Sequence, residues 1–249
     1  MGLINKDIFV CLDCESTGLD PQKDRIIELA ICKFTFDTII ESCTDLIDPT
    51  ISIPQETIAV HHITDDMVMG KPTIDAVLPR YLEIIDDHIV IGHAIPFDIA
   101  LLENAAKRCN MKTRLASVRY LDTLRMARLY GESPTNSLKS LCAHFNIKVQ
   151  EAHRAMSDVE MNIKVFKHLS RKFKMTEEIL GRLKHPIQLK VMPLGKYKGR
   201  SFSDIPQGYL YWASRQNFDL DLLFSLRNEL KKRKSGNLFS QASNPFLGL

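Results

Sequence analysis

The 249-residue chain is 45% hydrophobic and 25% charged, a balance that supplies a packed core and excludes a disordered or fibrous class. No stretch reaches the roughly 18 apolar residues that a bilayer span needs, and Met1 to Glu15 has no apolar run behind a basic start, so a cytoplasmic protein with no membrane partner is expected. The net charge of +3 hides an asymmetry: residues 1–170 hold 18 Lys and Arg against 24 Asp and Glu, whereas residues 171–249 hold 15 against 6, a basic module that suits a polyanion beside an acidic one that suits bound metal.

Along the chain, Asp7 to Asp13 reads as a buried strand and Arg25 to Phe36 as a second, with Gly18, Asp20 and Pro21 marking the turn between them. Thr38 to Ile47 extends this into an antiparallel meander. Ile74 to Ile85 has helical spacing, His88 to Gly92 is a short apolar run fit for an inner parallel strand, and Pro96 opens a helix to about Arg108. Leu121 to Tyr130 and Ser137 to Phe145 read as helices, with Ser137 as N-cap, and a long amphipathic helix follows from about Arg154 to Lys172. Strands followed by alternating strand and helix indicate an α/β mixed sheet. Residues 173–186 read as a short helix and linker, 187–234 as a compact second unit, and 235–249 as a loose tail. Six cysteines without a secretory signal suit reduced thiols. Cys11 and Cys14 stand three apart in a strand and so face opposite sides, which favours core positions over a zinc or redox pair.

Three segments carry chemistry. Asp13 and Glu15 lie two apart at a strand end and leave the same face, where they repel unless a proton or cation sits between them; a hard Mg²⁺ or Mn²⁺ is the natural occupant. Gly92-His93-Ala94-Ile95-Pro96-Phe97-Asp98 runs from a parallel strand into a helix start, the region where α/β folds bind ligands, although Asp98 also suits the helix dipole. In His153-Arg154-Ala155-Met156-Ser157-Asp158, a spacing of five on one helix puts His153 and Asp158 about 140° apart. They share a cleft only if His153 precedes the helix that carries Asp158.

In this order and spacing, over about residues 7–170, the three segments resemble the DEDD superfamily of 3′→5′ exonucleases in its histidine-containing, DnaQ-like branch. Asp13 and Glu15 in Asp13-Cys14-Glu15-Ser16-Thr17-Gly18-Leu19 match the first motif, Asp98 the second, and His153 with Asp158 the third. The resemblance implies a ribonuclease H-like mixed sheet flanked by helices, and two Mg²⁺ or Mn²⁺ ions held by Asp13, Glu15, Asp98 and Asp158. It further implies His153 as general base and release of nucleoside 5′-monophosphates from DNA 3′ ends, single-stranded or duplex. The backbone at Thr17 and Gly18 is expected to approach the terminal nucleotide, with Leu19 and Phe97 as candidates to pack against the last bases; Leu19 reads equally well as core. His61 and His62 lie where the family often has a His-Gly-Ile-Thr turn, and a structural role is favoured for them. One departure stands out: the family commonly has Asn at the place of Ala94, whose methyl group offers no hydrogen bond.

The second unit, with Pro193-Leu194-Gly195-Lys196-Tyr197-Lys198-Gly199-Arg200 and Ile205-Pro206-Gln207-Gly208-Tyr209-Leu210-Tyr211-Trp212, resembles the small C-terminal domain of exodeoxyribonuclease X-like proteins, and a small α+β module is expected. Its basic and aromatic residues suit backbone neutralisation with base stacking, while Tyr209 and Trp212 read equally as the core of a small domain. An exoribonuclease, a proofreading subunit with replication or repair partners, and a non-catalytic nucleic-acid-binding protein are the alternatives to a DNA exonuclease.

Overall fold

The structure, a computed structural model, describes residues 3–133, 135–148 and 154–242, with residues 236–242 described by backbone alone. Strands β1 (Phe9–Ser16), β2 (Ile26–Phe34) and β3 (Ile39–Leu46) pair antiparallel, with Phe9, Val10, Ile26, Ile27, Ile31 and Phe34 supplying the β-branched and aromatic side chains that favour strands. Helices α1 (Gln55–His61), α2 (Asp65–Val68) and α3 (Ile74–Ile85) lead to β4 (Ile89–Gly92), which pairs parallel with β1. After α4 (Pro96–Arg108), β5 (Tyr120–Asp122) joins β4, again parallel, to complete a sheet of order β3-β2-β1-β4-β5. The carboxyl ends of β1, β4 and β5 therefore lie along one rim. This is the expected ribonuclease H-like mixed sheet.

Strand alternation distributes β1 between two layers. Val10 and Leu12 join Leu29, Leu78, Tyr81 and Leu101 in the core beneath α3 and α4, and Cys14 packs against that cluster. The other face receives α7 (Ala155–Leu169), which packs on β1 and β2 and is itself covered by α5 (Thr123–Tyr130) and α6 (Leu138–His144). There the Phe9 ring meets Phe34 at 5.8 Å and Phe166 at 5.1 Å, while the Cys11 thiol donates to the Val159 carbonyl. Such a buried aromatic cluster fixes α7 against β1, and truncating Phe166 to Ala costs about 3–5 kcal/mol.

Three boundaries differ from the sequence reading. The first strand runs on to Ser16. Residues 120–122 form a strand where the helix had been expected to begin at Leu121; Asp122 caps that helix instead, its side chain accepting the Leu124 N–H at 2.9 Å. The short helix expected within residues 173–186 is α8 (Thr176–Leu183), which Thr176 ties to the Asp7 carboxylate, and the division into two units falls at its end, between Arg182 and Leu183, rather than spreading over the whole segment.

In the second unit, α9 (Gln207–Ala213) and α10 (Leu220–Ala242) enclose Leu189, Met192, Phe202, Ile205, Leu210, Leu222 and Leu226. Strand content among its described residues is a single bridge, Val191 with Ser201, which is leaner than the α+β expectation. The intervening chain turns through Gly195 and Gly199, both at positive φ, rather than extending as a hairpin. Asp221, fully buried, accepts the Ile187 N–H at 2.9 Å, and Ser225 accepts that of Leu189 at 2.8 Å. The backbone of α10 continues to Ala242, past residue 234, where a loose tail had been expected to begin.

Candidate active site

Asp13 and Glu15 occupy the α7-facing side of β1 at its carboxyl end, and Asp158 lies near the start of α7. Donor oxygens of these three side chains all fall within 4.8 Å of one another. Burial pushes the Asp13 carboxyl well above its ordinary range, and repulsion from Asp98, Glu15 and Asp158 adds to it. Burial likewise pushes Glu15 up to about 7, with Asp158, Glu28 and Asp98 contributing and Arg154 opposing. An all-oxygen donor set in which Asp13 and Glu15 resist ionisation beside Asp158 fits a hard divalent cation, which removes the repulsion that a proton otherwise relieves.

Asp98 enters from α4 and is 6% exposed. Its Oδ1 accepts the N–H of Cys14 at 3.0 Å, which ties the start of α4 to β1 between the two other carboxylates. Burial raises it to about 7, against the opposing pull of that N–H. The approach of α4 to the sheet depends on Gly92, because a Cβ there would collide with the Ile95 side chain. Ala94 follows at φ 62°, in the left-handed region, and its N–H is held by Asp122 at 3.0 Å. The family's usual Asn tolerates that conformation better than Ala, so the departure carries a backbone cost beyond the missing polar group.

Glu28, on β2 opposite Glu15, is the residue that sequence reading overlooked. It is 2% exposed and binds Arg154 through Nη2 at 2.7 Å and Nε at 3.0 Å, while accepting the Ala155 N–H at 3.0 Å. The first turn of α7, and with it Asp158, is thereby pinned to the sheet. A lone glutamate inside the apolar run Ile26-Ile27-Glu28-Leu29-Ala30 was the signal, since an unpaired buried carboxylate is rarely tolerated. His153 lies outside the described residues, immediately before Arg154, the N-cap of α7.

The proposed nucleotide contacts divide. Thr17 is 1% exposed, its N–H donates to the Arg25 carbonyl at 2.9 Å, and its hydroxyl donates to Asp24 at 2.9 Å. A Cβ on Gly18 would sit 2.5 Å from the Asp24 carboxylate, so close packing within the turn already requires glycine. Leu19 is 88% exposed, which removes the core reading, and Phe97 is half-buried against the α3–α4 core. His61 is buried, its Nδ1 accepting the Ile63 N–H at 3.0 Å, and His62 caps α1 at φ 59°. Both are placed as structural residues of that turn.

The RNase_T model, described as "Exonuclease", matches residues 10–166, and a model described as "Putative quorum-sensing-regulated virulence factor" matches residues 182–230. DNA polymerase III subunit epsilon of Aquifex aeolicus is 34% identical over 160 residues, covering 64% of this chain and 78% of that protein. The PolC-type DNA polymerase III of Clostridium perfringens is 30% identical over 174 residues, covering 70% of this chain and 12% of the polymerase, so the chain spans only a small part of that relative. Among solved structures, Exonuclease X in complex with 5′ overhanging duplex DNA aligns with a TM-score of 0.58 at 22% identity, covering 71% of this chain and 99% of that one. E. coli Exonuclease I in complex with a dT13 oligonucleotide aligns at 0.62 and 19% identity, covering 72% and 43%. Both share the fold. The match over residues 10–166 and the likeness to the epsilon subunit show that the chain belongs to the RNase_T family of exonucleases.

Proposed function

We propose that this chain is a cytoplasmic enzyme that removes nucleotides one at a time from the 3′ end of DNA, with Asp13, Glu15, Asp98 and Asp158 holding two Mg²⁺ or Mn²⁺ ions and His153 as general base. The observation that carries this reading is the convergence of Asp13, Glu15 and Asp158 within 4.8 Å at the sheet rim, with Asp98 bonded to the same strand. When bound, the ions supply Lewis-acid stabilisation of the charge that develops on the phosphate. His153, whose imidazole is a side chain suited to general-base chemistry near neutral pH, takes the proton of the attacking water. Water adds at phosphorus and the bond to the preceding 3′-oxygen breaks, which releases a nucleoside 5′-monophosphate. Exposed Leu19, just past β1, packs against the terminal base, and Phe97 supports it from the start of α4. Asp98 is buried while Asp13, Glu15 and Asp158 stay half-buried, so the centre is open to the attacking water at the sheet rim.

DNA is favoured over RNA because the relatives named above are a DNA polymerase subunit and a DNA polymerase, and the two similar structures named above hold DNA. The test is digestion of matched 3′-labelled and 5′-labelled DNA and RNA strands with Mg²⁺, with EDTA, and with the Asp13→Ala variant. Stepwise shortening of DNA from the 3′ end, absent with EDTA or the variant, is expected; preferential loss of RNA moves the substrate, and attack from the 5′ end sinks the reading. The likeness to the epsilon subunit favours one second reading, proofreading beside a polymerase. It predicts faster removal of mispaired than of paired 3′ termini.

A further inference from the structure

The second unit carries a surface that its own folding does not explain. A three-ring ladder runs across it: Tyr197 meets Tyr209 at 4.7 Å between centroids, and Tyr209 meets Trp212 at 5.2 Å. Tyr197 and Tyr209 back onto the core through their inner edges. Trp212 does not join that core and is 52% exposed, with the neighbouring Tyr211 at 46%. An indole left half in water within so small a unit gives up much of the burial that makes tryptophan worth placing in a core.

Cations lie against the Tyr197 end of the ring group, and another follows Trp212 in the chain. Lys196 Nζ lies 5.6 Å and Arg200 Cζ 5.8 Å from the Tyr197 centroid, and Arg215 stands three residues beyond Trp212 where α9 ends. Lys196, Lys198, Arg200 and Arg215 are all exposed, and none joins an ion pair among the described residues. Elsewhere in this unit Arg233 does pair, with Glu229 at 2.8 Å, so the uncompensated cations gather beside the rings. Residues 183–249 hold eleven Lys and Arg against four Asp and Glu, a net charge of +7. Open aromatic faces bordered by uncompensated cations complement one class of partner, a flexible polyanion with stackable rings.

We propose that Tyr197, Tyr209 and Trp212, with Lys196, Lys198, Arg200 and Arg215, form a binding surface for single-stranded DNA within the second unit. Bases stack on the exposed Trp212 at the end of the ring group, and the cations take the phosphates. The choice of DNA over RNA rests on the functional reading above; the surface itself rests on geometry and charge.

Trp212 is the only tryptophan in the chain, so it reports directly on its own occupancy. The full chain is titrated in EDTA, where no hydrolysis occurs, with oligo-dT and with oligo-rU while tryptophan fluorescence is followed. Saturable quenching by oligo-dT that weakens steeply with salt is expected. The Lys196→Ser, Lys198→Ser, Arg200→Ser triple variant is expected to lower the slope of log affinity against log salt by about 2. Trp212→Ala, followed by anisotropy of labelled oligo-dT, is expected to weaken binding about tenfold or more, and Trp212→Phe to restore most of it, with melting temperature the check on folding. No quenching by a chain that still degrades DNA in Mg²⁺ overturns the surface and leaves the exonuclease reading standing. Quenching without degradation does the reverse, and quenching by oligo-rU alone overturns the assignment to DNA.

Discussion

At φ 62°, Ala94 holds a conformation that an ordinary Cβ disfavours, on the turn that delivers Asp98. Ala94→Gly is expected to stabilise the protein by about 1 kcal/mol, read as a higher urea midpoint at unchanged slope; a lower midpoint means the methyl group packs where the backbone argument says it does not. Glu28 is the opposite case, a residue whose value lies wholly in what it holds. Glu28→Gln keeps its size but loses the charge facing Arg154, and is expected to lower activity about 10–100-fold and stability by about 2 kcal/mol. Activity within threefold of wild type contradicts a positioning role. These two residues also mark how far sequence reading reached. Asp13, Glu15, Asp98 and Asp158 were legible because motif spacing constrains them jointly, whereas the worth of Glu28 depends on a pairing with residue 154, 126 positions away, that no local pattern encodes. For Leu19 the sequence left core and surface level, because exposure is settled by the path of the turn.

Among the elements, the parallel strands and α7 are joined by a buried polar chain. His93 Nδ1 lies 3.0 Å from the Thr123 hydroxyl, which is 2.6 Å from Asn162 Oδ1 on α7 and 3.1 Å from the Gly92 carbonyl at the end of β4. Burial lowers the His93 pKa to about 4, so the ring is neutral in the folded protein. A depressed histidine contributes stability that is complete above its unfolded value of about 6.5 and is lost as pH falls toward 4, at most about 3 kcal/mol. The loss of stability between pH 7 and pH 4 is therefore expected to be smaller in His93→Asn than in wild type, measured by urea unfolding at each pH. Parallel losses in the two proteins rule out His93 as the titrating group. The helices α3 and α4 match the expected Ile74–Ile85 and Pro96–Arg108, because periodicity and a leading proline are strong local signals. Strand β5 was hidden because three residues cannot display an alternation, and Leu121 reads as well on a helix face as in a sheet.

Across the whole molecule, charge is divided between an acidic unit built round a repelling carboxylate cluster and a basic unit with unpaired cations. The cluster sets function against stability. Because Asp13 and Glu15 resist ionisation in the fold, their contribution is present at low pH and is lost as pH rises, leaving a penalty in the metal-free protein at pH 8. Asp13→Asn is therefore expected to melt above wild type in EDTA at pH 8, and Mn²⁺ to raise the wild-type midpoint more than the variant's; a variant that melts lower, or gains as much from Mn²⁺, removes the cluster as the source of strain. The division between the units was visible in the sequence as a charge shift, and it falls within the segment 173–186 read as helix and linker, at the end of α8, which Thr176 holds to Asp7 of the first unit. The central claim is that carboxylates from β1 and α7 act together in hydrolysis, and the most direct measurement is the rate of nucleotide release from a 3′-labelled single strand in Mg²⁺ by Asp158→Asn. The account predicts a loss of more than about a hundredfold with the fold intact. A variant that releases the terminal nucleotide within fivefold of the wild-type rate contradicts it.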